Sequence, residues 1–310
     1  MLDKHEREIN YLRLSITGRC NLDCIYCKRE SGKSPDLTME EIGRLVQALA
    51  ALGVNKIRLT GGEPLMRKDV VEIVRVCAAA PGIIDLAMTT NAILMHKYAA
   101  ALKEAGLNRV NISLNTLIPE TFKQMCRYGR LDEVLAGLKA AEEAGFPVKI
   151  NVVLMRGIND AEIGDFIRMA KERPVEVRFI EYMPMGRRYD KSKMIATEEV
   201  LRLFPELLPL ENENKSSVAR LYRGEGYKGL VGFISPVSHA FCHLCNRLRV
   251  THDAKLRMCL GDDGETDLRP ALAGSDEELK NFFAQALAAK PKQGFCSDFE
   301  TRRGMGNIGG

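Results

Sequence analysis

The sequence predicts an α/β fold, an open partial barrel of about six strand–helix units followed by a looser C-terminal region. Three observations carry this. Short β-branched runs alternate with helical stretches from about residue 12 to residue 182, the pattern of βαβ units in a parallel sheet. Six units fall short of the eight that close a full barrel. Several strands also carry polar residues on one face, whereas a parallel sheet buried on both sides would be apolar throughout.

The strands are expected at residues 12–16, 56–60, 85–89, 109–114, 148–154 and 175–182. Helices are expected between them at 38–52, 68–80, 96–105, 119–127 with 131–144, and 161–171, so the fourth connection holds two. Strand side chains alternate faces. Alternation puts Arg13, Ser15 and Thr17 on one face of the first strand, and Arg58 and Thr60 on one face of the second. It does the same for Asn111, Ser113 and Asn115 in the fourth strand and for Lys149 and Asn151 in the fifth. The apolar faces then pack on the outer helices, and the polar faces line a shared, wet cavity. After about residue 195 the chain loosens; a hairpin (218–222 with 230–234) and one helix (275–289) are expected. The expected division is residues 1–204 as the partial barrel and 205–310 as an appended region.

Composition narrows the class. With 45% hydrophobic and 28% charged residues the chain can bury a core. A net charge of +4 without a basic block argues against a nucleic-acid partner. No run of about 18 apolar residues is present, so no membrane span is expected. The first residues show no secretory signal, and a cytoplasmic location is expected. Nine cysteines in a reducing compartment point to metal or catalysis rather than disulfides. Six are clustered. Cys77, Cys126 and Cys296 stand apart and read as packed or surface thiols.

Cys20, Cys24 and Cys27 form a C-x3-C-x2-C motif in the loop directly after the first strand, with Tyr26 inside it. Three thiolates can hold three irons of a [4Fe–4S] cluster and leave the fourth open, as catalysis requires. Zinc would want a fourth Cys or His at regular spacing, and none lies nearby. The motif resembles that of the radical S-adenosylmethionine superfamily, C-x3-C-x-aromatic-C. Thr60-Gly61-Gly62-Glu63-Pro64 resembles the superfamily's GGEP loop, where glycines allow close backbone approach. The resemblance implies that the open iron holds S-adenosylmethionine and that its reduction yields a 5′-deoxyadenosyl radical. After Cys27 the chain reads Lys28-Arg29-Glu30-Ser31-Gly32, where the family more often has a Met-Pro pair.

Cys242, Cys245 and Cys259 form a second triad, C-x2-C-x13-C. Spacing alone leaves it open between an iron–sulfur cluster and a zinc site completed by His239, His243 or His252. Arg247 and Arg249, two residues apart, suit an anion such as phosphate. Together with Thr89-Thr90-Asn91, residues 148–153 (VKINVV), residues 178–186 (RFIEYMPMG) and Gly309-Gly310, this region resembles the branch of the superfamily that cyclises GTP for molybdenum cofactor biosynthesis.

That resemblance implies an incomplete (β/α)6 TIM-like barrel closed by a C-terminal region with a second [4Fe–4S] cluster. It implies that Tyr26, Gly62, Ser113 and Met183 contact S-adenosylmethionine. Arg13, Arg58, Thr89, Lys149, Arg247 and Arg249 would contact GTP, whose purine would sit on the second cluster. The radical would take the C3′ hydrogen and the C3′ centre would attack C8; one further electron, supplied through the second cluster, and one proton would then give 3′,8-cyclo-7,8-dihydro-GTP. Gly309 and Gly310 would reach into the site beside Arg247 and Arg249. The implied partners are an electron donor such as flavodoxin or ferredoxin, the downstream cyclic pyranopterin monophosphate synthase, and a second copy in a homodimer. Two rivals stand beside this reading: a peptide-modifying enzyme of the same superfamily, which would usually carry more auxiliary cysteines, and a non-catalytic zinc- and nucleotide-binding regulator.

Overall fold

The computed structural model describes residues 1–27, 34–185, 189–211, 217–293 and 303–309. Six strand–helix units open the chain: β1 (Tyr11–Ser15), α1 (Met39–Ala51), β2 (Lys56–Thr60), α2 (Val70–Ala79), β3 (Asp85–Thr90) and α3 (Met95–Glu104) come first. They are followed by β4 (Arg109–Ser113), α4 (Pro119–Cys126), α5 (Leu131–Glu143), β5 (Val148–Leu154), α6 (Ile163–Glu172), β6 (Glu176–Glu181) and α7 (Thr197–Leu203). Then come β7 (Leu208–Pro209), β8 (Arg220–Arg223), β9 (Leu230–Ile234), β10 (Arg247–Val250), β11 (Lys255–Arg257) and β12 (Thr266–Asp267). Helices α8 (Arg269–Ala273), α9 (Asp276–Ala288) and α10 (Met305–Ile308) end it.

Local chemistry explains the boundaries. Thr38 caps α1: its hydroxyl accepts from the Glu41 amide at 3.1 Å, and the Glu41 carboxylate accepts from the Thr38 amide at 2.8 Å. Ser275 and Glu278 do the same for α9. Strand β5 alternates strictly between buried and half-buried positions, which is the two-residue period of a sheet with two unlike faces. Its apolar side and those of its neighbours form one core with the helices. Among the described residues no helix is long and apolar enough to cross a membrane.

The sheet is larger than six strands. Its order is β12-β11-β10-β1-β2-β3-β4-β5-β6-β9-β8-β7. Strand β10 runs parallel to β1, and β9 runs parallel to β6. Eight strands from β10 to β9 are therefore parallel, yet the barrel stays open, because its outer partners are the antiparallel β11 and β8. Residues 205–310 thus extend both edges of the same sheet. The expected hairpin is present as β8 and β9, but β10, β11 and β12 were not anticipated: each has four residues or fewer, and residues 247–249 read as loop. An aromatic stack ties β9 to β6, with Phe179 edge-on to Phe166 at 6.3 Å and beside Phe233 at 5.7 Å. Helix α9 adds Leu279, Phe283 and Leu287 to the common core and packs on α1.

Candidate functional site

The polar strand faces enclose one cavity of about 680 Å³. All six clustered cysteines line it. So do Tyr26, Gly62, Ser113 and Met183, and so do Arg13, Arg58, Thr89, Lys149, Arg247 and Arg249.

The topology sets the two triads at opposite ends. Cys20, Cys24 and Cys27 follow the carboxyl end of β1. Cys242 and Cys245 precede the amino end of the parallel β10, and Cys259 follows the antiparallel β11. At about 3.3 Å per residue the length of β1 puts roughly 16 Å between these levels. Arg249, Arg13 and Arg58 lie between, in register across β10, β1 and β2.

The loop of the first triad is held from several sides. The Asp23 and Ile25 amides donate to the carbonyls of Cys126 and Met125 at 3.1 and 2.8 Å. Asn91 donates to Asn21 at 2.7 Å, and the Leu22 amide donates to the Cys20 sulfur at 3.4 Å. Gly62 and Glu63 donate through their amides to the carbonyls of Thr17 and Arg19 at 2.8 and 2.7 Å. A Cβ at Gly62 would stand 2.2 Å from the Arg19 carbonyl oxygen, so only glycine permits this approach. Gly62→Ala is expected to displace the cysteine loop. Iron per reconstituted chain should fall and S-adenosylmethionine binding should be lost; unchanged iron and binding would refute the packing argument. The Glu63 carboxylate accepts from Thr90, the Asn91 amide and the Leu65 amide, tying the loop to β3. The Asn115 amide group donates to the Tyr26 hydroxyl at 2.8 Å.

Cys126 is distant in sequence but not in space. Buried at the end of α4, its thiol lies within hydrogen-bonding reach of Cys24, and this contact, with burial, pushes it well up. Cys77 is a core thiol, raised to about 12 by burial. Cys296, residues 28–33 and Gly310 lie outside the described residues. Two of the three histidines weighed for the second triad go elsewhere: His252 pairs with Asp36 at 2.9 Å and His239 with Glu198 at 2.9 Å.

Among the described residues no three His, Cys, Asp or Glu side chains close on a single metal ion. The thiols of each triad stand as separate donors at one end of the cavity. Their chemistry fits an iron–sulfur cluster. In the second triad, burial works to raise the Cys245 thiol, but the charges of Arg247 and Lys290 outweigh it and bring it to about 7. The Gly261 amide donates to the Cys259 sulfur at 3.4 Å.

The cations divide into two sets. Arg109 is held by Asp85 at 2.9 and 2.7 Å. Lys149 donates to Glu176 at 2.6 Å, and Arg178 pairs with the same carboxylate. Lys149 lines the cavity as expected, and Glu176 largely answers its charge. Arg178, Glu176 and Arg109 were missed, although alternation on β6 and β4 puts them on the cavity face. No carboxylate among the described residues pairs with Arg58 or Arg249. Burial, then neighbouring positive charge, lowers Arg249 to about 10; burial chiefly lowers Arg58 to about 10. Both stay charged at neutral pH, and an anion between them would relieve the strain. Arg58 Nε, Arg247 Nε and the Thr89 hydroxyl are buried without a protein partner, as groups awaiting a polar ligand are.

The tail enters this space. The Gly306 amide donates to the Cys27 carbonyl at 3.2 Å. The Gly309 carbonyl accepts from Arg249 Nη1 at 3.1 Å and from Arg13 Nε at 3.3 Å. Gly309 has φ +69°, and a Cβ there would stand 2.4 Å from the Thr60 hydroxyl. Arg303 anchors the segment on Asp253 at 3.0 Å and on Glu265 at 3.1 Å. Met183 and Met185 pack against Ile308 and Met305.

Comparison with known proteins agrees with this architecture. Residues 14–170 match the radical SAM superfamily, and residues 175–296 match the molybdenum cofactor synthesis C family. The GTP 3′,8-cyclase of Alkaliphilus oremlandii is 44% identical over the whole of both chains. Those of Syntrophomonas wolfei and Moorella thermoacetica are each 45% identical, again over the whole of both chains. Among solved structures, Streptococcus suis SuiB aligns over 92% of this chain and 68% of its own with a TM-score of 0.66 at 16% identity. The enzyme anSMEcpe with bound AdoMet aligns over 63% and 59% with a TM-score of 0.51 at 17% identity; both likenesses concern the fold. Full-length identity at this level, with both family matches, means that the chain belongs to the radical SAM superfamily and, within it, to the GTP 3′,8-cyclase family.

Proposed function

We propose that this protein converts GTP to (8S)-3′,8-cyclo-7,8-dihydroguanosine 5′-triphosphate, the first step of molybdenum cofactor biosynthesis. The observation that carries the reading is the single cavity with a cysteine triad at each end and an arginine row between them. Cys20, Cys24 and Cys27 would hold a [4Fe–4S] cluster, at the end of the cavity where S-adenosylmethionine would bind. Cys242, Cys245 and Cys259 would hold a second, at the end of the cavity where the guanine would bind. When bound, the first cluster and S-adenosylmethionine supply a carbon radical able to abstract the C3′ hydrogen.

The protein's part is placement and shielding. Gly62, Ser113, Tyr26 and Met183 line the end where S-adenosylmethionine binds. Arg13, Arg58 and Arg249 present positive charge one strand-spacing apart, on the order of 5 Å, to the triphosphate. Arg247, Thr89 and Lys149 complete its surroundings, with Lys149 acting through its pair with Glu176. The Gly309 carbonyl keeps two guanidiniums in one orientation. An apolar wall of Met183, Met185 and Ile308 keeps water from a reactive carbon centre.

Residues 1–204 serve as the catalytic barrel and 205–310 as the auxiliary-cluster region. The reading includes a cytoplasmic setting, a flavodoxin or ferredoxin as electron donor, product transfer to cyclic pyranopterin monophosphate synthase, and a homodimer. The test is anaerobic reaction of the reconstituted protein with dithionite, S-adenosylmethionine and GTP, followed by mass analysis. One 5′-deoxyadenosine per cyclised GTP is expected; 5′-deoxyadenosine with GTP untouched would rule the substrate out.

A further inference from the structure

Lys290 lies just past the end of α9, far in sequence from either triad, and it is 2% exposed. Its ammonium donates to the Arg247 carbonyl at 2.8 Å and to the Met258 carbonyl at 2.6 Å. Arg247 is two residues after Cys245, and Met258 immediately precedes Cys259. The β10–β11 ladder pairs Arg249 with Arg257; towards the cysteines the carbonyls of Arg247 and Met258 are bridged by one buried cation. A second cation, Arg7, donates to the Cys242 carbonyl at 2.8 Å. Arg7 is neutralised by Asp3 at 2.7 Å. Lys290 has no carboxylate partner among the described residues, and its two neutral carbonyls leave its charge uncompensated.

A buried, uncompensated ammonium is costly. Burial works against the charge on Lys290, and the sulfurs of Cys245 and Cys259, next to the two carbonyls it holds, are the groups nearby that support it. We propose that Lys290 is a positioning and charge-compensating residue for the second triad, fixing the separation of Cys245 and Cys259 and raising the reduction potential of the group they hold. This rests on the reading that the triad holds an iron–sulfur cluster. Each one-electron reduction adds a negative charge to such a cluster, and a fixed positive charge nearby makes that addition easier. The carbonyl contacts are the positional half of the role, and the ammonium charge is the electrostatic half.

The test uses the anaerobically reconstituted full chain with Lys290→Met, Lys290→Gln and Lys290→Arg. Iron and sulfide are counted, and both clusters are followed by paramagnetic resonance during a redox titration. The cluster whose signal changes on adding S-adenosylmethionine is the first and serves as internal reference. The expected result is a more negative midpoint for the second cluster in Met and Gln, a near-normal one in Arg, and an unmoved first cluster. Loss of only the second cluster from Met and Gln, with retention in Arg, supports the role equally. Unmoved potentials, an equal shift in Arg, or loss from all three variants overturns it. A wild-type protein holding only about four irons overturns the two-cluster reading first, and the inference with it.

Discussion

A chain shortened to end at Ile308 is expected to lose cyclisation by at least about 100-fold while keeping both clusters. The Gly309 carbonyl accepts from Arg13 and Arg249. Hydrogen bonds from a charged donor contribute about 1.5–3 kcal/mol each, and each loss of about 1.4 kcal/mol in transition-state stabilisation is tenfold in rate. Removing the acceptor frees two guanidiniums that the substrate needs in one orientation. The cysteines are untouched, because Gly309 contacts the arginine row and approaches Thr60 rather than either triad. Gly309→Ala should act in the same direction, since its φ of +69° and the 2.4 Å approach to Thr60 exclude a side chain. Full turnover by the shortened chain, at normal iron, would contradict this account of the tail.

Cys20→Ser and Cys245→Ser should each halve the iron, from about eight to about four per chain, but with different losses of function. The Cys20 variant should form no 5′-deoxyadenosine. The Cys245 variant should still cleave S-adenosylmethionine slowly and make no cyclic product. The difference follows from topology: the triads sit roughly 16 Å apart along the strands, so damage at one end leaves the other standing. Cys20 is the better choice than Cys24, because Cys126 lies against Cys24 and could replace it as a ligand. Iron analysis with chromatography of both products decides the matter, and identical product profiles for the two variants would remove the division of labour.

Much of this is legible in the sequence. The six opening strands lie within one residue of their expected ends, because Lys149 and Asn151, or Arg58 and Thr60, mark the two-residue period clearly. The same alternation, with no tertiary information, puts Arg13 and Ser113 on the cavity face. What escapes is tertiary. The four residues of β10 carry no periodic signal, and only pairing with β1 makes them a strand. The pairing of Lys149 escapes because nothing local reveals Glu176 beside it. Cys126 looks solitary because the amides of Asp23 and Ile25 reach its end of α4 across about a hundred residues of chain. Lys290 resembles any helix-end lysine, since its burial depends on α9 docking over the second triad.

The pairing of β1 with β10 also sets a schedule for synthesis. Asn10 and Asn246, at the start of the two strands, are hydrogen-bonded across 236 residues. During translation β1 can pair with β2 early, yet its other edge stays bare until nearly the whole chain has been made. A bare edge is a template for pairing with other chains, and contacts this distant in sequence form slowly. The second triad is also buttressed late, because Lys290 arrives after every cysteine it supports. Nascent chains should therefore pass through a stage with six built strands and an unsealed seam, the stage at which a chaperone would hold them.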